Sequence, residues 1–132
     1  MKITRITVWQ RDLPLTEPYW LSGGRLKFER LDSTILRLDT DEGISGWGEG
    51  CPRKETYLPA HGPGLRAGLE TLAPRLLGLA PRSIDHVNQV MDVALPGHPY
   101  EKSPVDIACW DIFGQVAGKP IWQMLGGAAA AP

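Results

Sequence analysis

The run from Ser33 to Gly50 constrains the fold more than any other part of the chain. Thr34, Leu36 and Leu38 alternate with Ile35, Arg37 and Asp39, the period-two pattern of a strand with one face on a core. Asp41-Glu42-Gly43 carries turn chemistry, and Ile44 to Glu49 runs back as a second strand. Gly46, Gly48 and Gly50 fall on one face of that returning strand, and a face without side chains lets another backbone or a bulky ring come close. A nucleotide-binding reading fails, because GxGxxG would need glycine at Cys51 and a helix beginning there.

Upstream, Lys2 to Leu13 alternates imperfectly, with Ile6 and Val8 on one face and a bulge expected near Arg11-Asp12. Pro14 and Pro18 are expected to end regular pairing, since proline cannot donate to a ladder. Leu15 to Glu29, with Ser22-Gly23-Gly24, then reads as a long loop. The expected sheet is a three-stranded antiparallel meander.

Downstream the period changes to that of helices. Leu65, Leu69, Leu72 and Leu76 form one stripe, with Pro74 expected to break or kink the helix near its end. Ser83 can cap a second helix carrying Ile84, Val87, Met91 and Leu95, stopped by Pro96-Gly97. Ser103 and Asp106 have capping-box spacing, Pro104 suits the first helical position, and Gly118 with Pro120 marks an end. The stripe of this third helix is Val105, Ala108, Cys109, Ile112, Phe113 and Val116; Trp110 and Asp111 lie off its centre, so a second face presses on something else. The fold class is therefore α+β, the meander followed by a three-helix bundle. Residues 1–117 are expected to form the domain and residues 118–132 a connector.

With 132 residues the chain has room for one core. Lys and Arg total 14 against 15 Asp and Glu, a net charge of −1, which gives no electrostatic reason to expect nucleic acid or an anionic membrane as partner. No run approaches the ~18 apolar residues of a membrane span, and Met1-Lys2-Ile3-Thr4-Arg5 lacks a signal peptide's apolar stretch, so a cytoplasmic location is expected. Cys51 and Cys109 are far apart, in no CxxC pair, and are expected to be free thiols.

The residues alone show no catalytic machinery. His61, His86 and His98 have no partner at i+3 or i+4; His86 reads as solvated, and His61 and His98 as capping loop backbone. No nucleophile stands in a setting such as GxSxG, and the carboxylates are too scattered for a metal cage. What stands out is a pair of loops rich in large side chains: Leu15 to Glu29 with Tyr19, Trp20, Arg25 and Phe28, and Gly50 to Pro63 with Arg53, Tyr57 and His61. Aromatic rings placed in loops are expected to cover an apolar surface or a ligand, or else to pack on their own sheet.

Ser103-Pro-Val-Asp-Ile-Ala-Cys-Trp-Asp-Ile-Phe-Gly-Gln, followed after four residues by Pro120-Ile-Trp-Gln-Met-Leu-Gly126, resembles the signature of the mandelate racemase and muconate-lactonizing enzymes of the enolase superfamily. Glu101, Pro104, Cys109 and Met124 depart from it only in minor ways. The Met-Lys-Ile start and the Asp-Glu-Gly-Ile-Ser-Gly-Trp-Gly-Glu hairpin are similar to that family's amino-terminal capping domain, so the resemblance covers nearly the whole chain.

The resemblance implies a domain that closes over a (β/α) barrel, the barrel being supplied by a further segment. It implies that the barrel holds the lysine or histidine bases and the carboxylates for Mg²⁺, which remove the proton next to a substrate carboxylate and stabilise the enediolate. It therefore implies no catalytic and no metal-ligating residue in this chain, and a homo-oligomeric full-length enzyme. A barrel needs at least ~200 residues, so it is not expected here, and the Ala128 to Ala131 run is expected to be a truncated or partly placeholder tail.

More narrowly, Pro18-Tyr-Trp-Leu-Ser-Gly-Gly24, Thr56-Tyr57 with Ala60-His-Gly62, and Pro96-Gly-His98 ahead of Lys102-Ser103 resemble hydroxyproline dehydratases and proline-betaine epimerases. That likeness implies a substrate-binding role for Tyr19, Trp20, Ser22 and Tyr57. It points to a cis-3-hydroxyproline dehydratase, or a related racemase or epimerase. Aromatic faces can hold a ring ammonium at ~0.5–2 kcal/mol each. The reading from another class is a free-standing α+β binding module with no activity.

Overall fold

The computed structural model describes residues 1–53 and 58–127. The strands are β1 (Ile3–Leu21), β2 (Leu26–Thr40) and β3 (Ser45–Gly50), ordered β1-β2-β3 and antiparallel throughout. The helices are α1 (Gly62–Leu76), α2 (Ile84–Ala94), α3 (Pro99–Ala117) and a single turn, α4 (Ile121–Met124), which adds to the three expected. No barrel and no helix long and apolar enough to cross a membrane occurs among the described residues.

One face of the sheet carries the core. Leu36 and Leu38 are fully buried beneath Leu65, Leu69, Leu72 and Leu76 of α1, Ile84, Val87 and Met91 of α2, and Val105, Ala108, Cys109 and Ile112 of α3. Each Leu, Ile, Val or Met among them contributes ~1.5–3 kcal/mol on burial, Ala108 and Cys109 less. Within the stripe expected for α3, Phe113 is half-buried and Val116 is exposed, because the helix end runs past the edge of the sheet's cover.

The glycine-lined strand is where backbone meets backbone. A Cβ at Gly46 would collide with the carbonyl of Ala108, one at Gly48 with the carbonyl of Pro104, and one at Gly50 with the Leu65 side chain. The second face expected of α3 closes the same contact. Asp111 accepts a hydrogen bond from the Trp47 backbone N–H at 2.9 Å, and the Gln115 amide donates to the Ser45 carbonyl at 2.8 Å. Since β3 is an edge strand, these side chains satisfy backbone groups that would otherwise be open to another strand.

Four local expectations need correction. The pairing of β1 with β2 is regular from Arg5 to Pro14, so no bulge lies at Arg11-Asp12; register shifts fall at Ile3/Arg5 and Pro14/Tyr19. Pro14 and Pro18 do not end β1, and most of the expected loop from Leu15 to Glu29 is the far end of a long hairpin, turning at Ser22–Arg25. β1 is an edge strand, and Pro18 sits within the irregular stretch, so neither proline costs the sheet a ladder bond in its interior.

Pro74 needs no such correction: it lies in the last turn of α1, which ends two residues later at Leu76, near the expected stop. α3 begins at Pro99 rather than Pro104, leaving Ser103 and Pro104 inside the helix. Pro99 meets the first-turn requirement, and Gly97 and His98, both at positive φ, turn the chain into it. Asp106 instead accepts a hydrogen bond from Asn88 at 2.8 Å, joining α2 to α3.

Candidate functional site

Beyond the irregularity at Pro14/Tyr19 the β1–β2 hairpin continues as a short tip with three pairs, Tyr19↔Phe28, Trp20↔Lys27 and Leu21↔Leu26. Residues 15–18 face only Glu29 across this break, so the tip is bent away from the regular sheet. Its turn holds Ser22 at φ 54°, followed by Gly23 and Gly24 at positive φ.

Adjacent strand residues point to opposite faces, which separates the two aromatic rings assigned to substrate contact. Tyr19 shares a face with its partner Phe28, which is buried, whereas Trp20 lies on the other face with Lys27. Both rings stay exposed, Tyr19 at 44% and Trp20 at 54%. Each already engages a cation of the chain. The Arg53 guanidinium lies 4.8 Å from the Tyr19 centroid, and the Lys27 ammonium lies 5.4 Å from the Trp20 centroid. Lys27 also pairs with Glu29, whose carboxyl is held below its ordinary value by that ammonium.

Arg53 comes from the segment after β3, so the structure brings the two expected loops together. Between them lies a cleft of about 130 Å³ lined by Phe28, Arg30, Asp32, Pro52, Arg53 and His61. Asp32, one of the lining residues, is held in place by several donors. Arg66 of α1 donates to both of its carboxylate oxygens at 2.9 and 3.1 Å, Gln10 donates at 3.1 Å, and Arg66 also reaches the Thr34 hydroxyl at 3.0 Å. The Arg66 hydrogen bonds hold the Asp32 carboxyl below its ordinary range, against the opposing effect of partial burial. His61 caps α1, its Nδ1 accepting from the Gly64 N–H at 3.1 Å, as expected of it.

Of the four residues assigned to substrate contact, Tyr19, Trp20 and Ser22 lie on or beside the hairpin tip, and Tyr57 lies outside the described residues. The Arg66–Asp32 pair, 34 residues apart, carries no signal in local spacing. The pairing of Arg53 with Tyr19 could be suspected only from a basic residue in one loop and rings in the other. His86 is exposed on α2; His98 sits at the start of α3, makes no side-chain cap bond, and lies 3.5 Å from the buried Glu101 carboxylate.

Both cysteines are free thiols. Cys109 is buried in the core, which pushes its thiol up to about 12, and partial burial raises Cys51. Among the described residues no three His, Cys, Asp or Glu side chains converge in a way that could hold a metal ion, so these residues do not fit a Mg²⁺ site.

Comparison with known proteins agrees with this architecture. Residues 3–126 match the family model described as the mandelate racemase / muconate lactonizing enzyme N-terminal domain. A cis-3-hydroxy-L-proline dehydratase from Roseibium aggregatum is 52% identical over 130 residues, which are 98% of this chain and 35% of the relative. An N-succinyl-L-Arg/Lys racemase from Bacillus cereus is 35% identical over 96% of this chain and 34% of its own length. The crystal structure of an enolase-superfamily member from Roseovarius nubinhibens superposes with a TM-score of 0.88 at 72% identity, over 99% of this chain and 35% of that one, and the same figures describe a magnesium complex. The chain thus spans about a third of the length of these relatives. With its meander, its helical layer and the glycine-lined seam between them, the chain belongs to the mandelate racemase / muconate lactonizing enzyme N-terminal domain family.

Proposed function

We propose that this domain is the lid of a Mg²⁺-dependent enzyme that removes the α-proton of a small carboxylate substrate, and that its substrate is cis-3-hydroxy-L-proline or a close proline derivative. The observation that carries the proposal is the hairpin tip. Two exposed rings stand at the end of a bent hairpin, and each already holds a cation against one face. Such rings can take the secondary ammonium of a proline ring in the same way, at ~0.5–2 kcal/mol per contact. The activity of the 52% identical relative supports the same substrate class.

In this reading the chain's own residues bind, orient and exclude water, and the proton-transfer groups lie in a separate barrel domain. The metal, held by carboxylates of that barrel, would supply fixed positive charge beside the substrate carboxylate. Trp20 and Tyr19 would shape the substrate's entry side, Ser22 would offer a hydroxyl from the turn, and Tyr57 a further ring. The full-length enzyme would be a cytoplasmic homo-oligomer. A free-standing binding module is disfavoured by relatives about three times as long.

The test is to express the full-length protein and incubate it with cis-3-hydroxy-L-proline and Mg²⁺ in D₂O. Loss of one water from the substrate, followed by mass, is the expected result. α-Deuterium incorporation with no loss of water would replace the dehydratase with a racemase or epimerase, a reading that the racemase relative at 35% identity favours. No exchange with proline derivatives would end the substrate proposal.

A further inference from the structure

We propose that Arg53 is a positioning residue that ties the hairpin tip to the segment after β3, so that Tyr19 is held toward the substrate in one orientation. The inference rests on the lid reading above and adds to it the element that fixes the lid. Past the break at Pro14/Tyr19 the tip has only three strand pairs, and a two-stranded ribbon of that length is marginal without outside support. Phe28 is buried at its base, and the Arg53 guanidinium lies 4.8 Å from the Tyr19 centroid. Lys27 cannot do the same work, because its partners Trp20 and Glu29 belong to the hairpin itself.

The geometry has a chemical consequence for the ring. The Arg53 guanidinium lies over Tyr19, whose side chain stays exposed, and a cation held there restricts the ring's tilt. It also makes the approach of the two substrate-facing segments concerted: the tip cannot swing from the sheet without breaking the contact to Arg53. Arg53 lines the cleft beside Phe28 and Asp32 with its guanidinium over Tyr19, so its proposed role runs through that ring.

The experiment uses the full-length enzyme with Arg53→Met, Arg53→Lys, Tyr19→Leu and the Arg53→Met/Tyr19→Leu double variant. Trypsin cleavage after Arg25, in the exposed turn, reports tip opening without any substrate. Arg53→Met should speed that cleavage roughly threefold, with KM rising by a similar factor, kcat falling less and the melting temperature unmoved. Arg53→Lys, which keeps the cation, should restore most of both. The double variant should open no faster than Tyr19→Leu alone, because both remove one contact. Unchanged cleavage in Arg53→Met, additive effects in the double variant, or a fall in melting temperature that tracks the loss of activity would overturn the proposal. The cleavage result stands apart from substrate identity, so a wrong substrate assignment shows as absent turnover with the cleavage pattern intact.

Discussion

The seam between β3 and α3 and the tip of the β1–β2 hairpin are built on opposite principles. At the seam, Gly46 and Gly48 remove side chains so that a helix backbone lies directly on a strand, Gly50 makes room for Leu65, and Asp111 and Gln115 bond the Trp47 N–H and the Ser45 carbonyl. At the tip, large side chains are placed where little packs against them, and a break in register separates them from the regular sheet. The seam has no room to change, whereas the tip can change without touching the core. Packing is therefore concentrated at the seam, and the tip is the part to which the proposed function assigns substrate choice, a division expected where a rigid scaffold carries variable binding segments.

The two regions should respond to mutation in different observables, and the largest effect belongs to the seam. Gly48→Val would drive a side chain into the Pro104 carbonyl, a backbone atom that cannot rotate away. We expect a loss of about 3 kcal/mol in urea denaturation, or failure to fold. A variant of near-native stability would mean that α3 can lift from β3, and the contrast with the tip would disappear.

The next largest effect belongs to the tip and should leave stability alone. Trp20→Ala in the full-length enzyme should raise KM about fivefold for a proline-type substrate, with the denaturation midpoint within experimental scatter. Trp20 is exposed and its ring meets Lys27 of the same hairpin, so its removal opens no core cavity. A stability loss comparable to that of Gly48→Val would show that the tip is structural after all.

A smaller effect sharpens the boundary between the regions, where Asp32 joins the sheet to α1. Its folded carboxyl is held below the ordinary aspartate value of 3.8 by the hydrogen bonds from Arg66. The ion pair therefore contributes stability that is fully present above 3.8 and is lost as pH falls through the lower folded value. Because the pair is partly solvent-exposed, its contribution is modest. Asp32→Asn should lower stability at neutral pH and flatten the acid limb of the stability curve, followed by denaturation across pH. An unchanged acid limb would remove Asp32 as the joint.

How much was legible in the sequence follows the same division. The seam announced itself, because Gly46, Gly48 and Gly50 at period two, facing a helix with a clean stripe, admit few structures besides close backbone packing. The family signature lies on that same helix. The tip was hidden because Pro14 and Pro18 look like strand ends, and only tertiary placement at an edge and in a break makes them tolerable. Arg53 over Tyr19 and Arg66 on Asp32 are encounters between distant segments, which no periodicity encodes. Helix starts misled in a third way. Ser103, Pro104 and Asp106 fit the local rules for an N-terminus, yet Glu101 is buried against Gly68 one turn earlier and the helix extends back to Pro99.

The smallest effect tests that last lesson directly. Ser83 stands at the N-cap of α2, where a serine side chain ordinarily contributes ~1 kcal/mol by accepting from an unpaired backbone N–H. Here its side chain makes no such bond, and its backbone lies at φ −86°, ψ 64°, outside the extended region that aims a capping hydroxyl at the first turn. Its carbonyl still accepts from Val87 at 3.0 Å, a bond that any residue would make. Ser83→Ala should therefore change the denaturation free energy by less than ~0.5 kcal/mol, whereas His61→Ala, which removes the Nδ1 acceptor from Gly64, should cost ~1 kcal/mol. If Ser83→Ala proved the costlier of the two, residue type would outrank backbone geometry at these helix starts, and α2 would be capped as the sequence suggests.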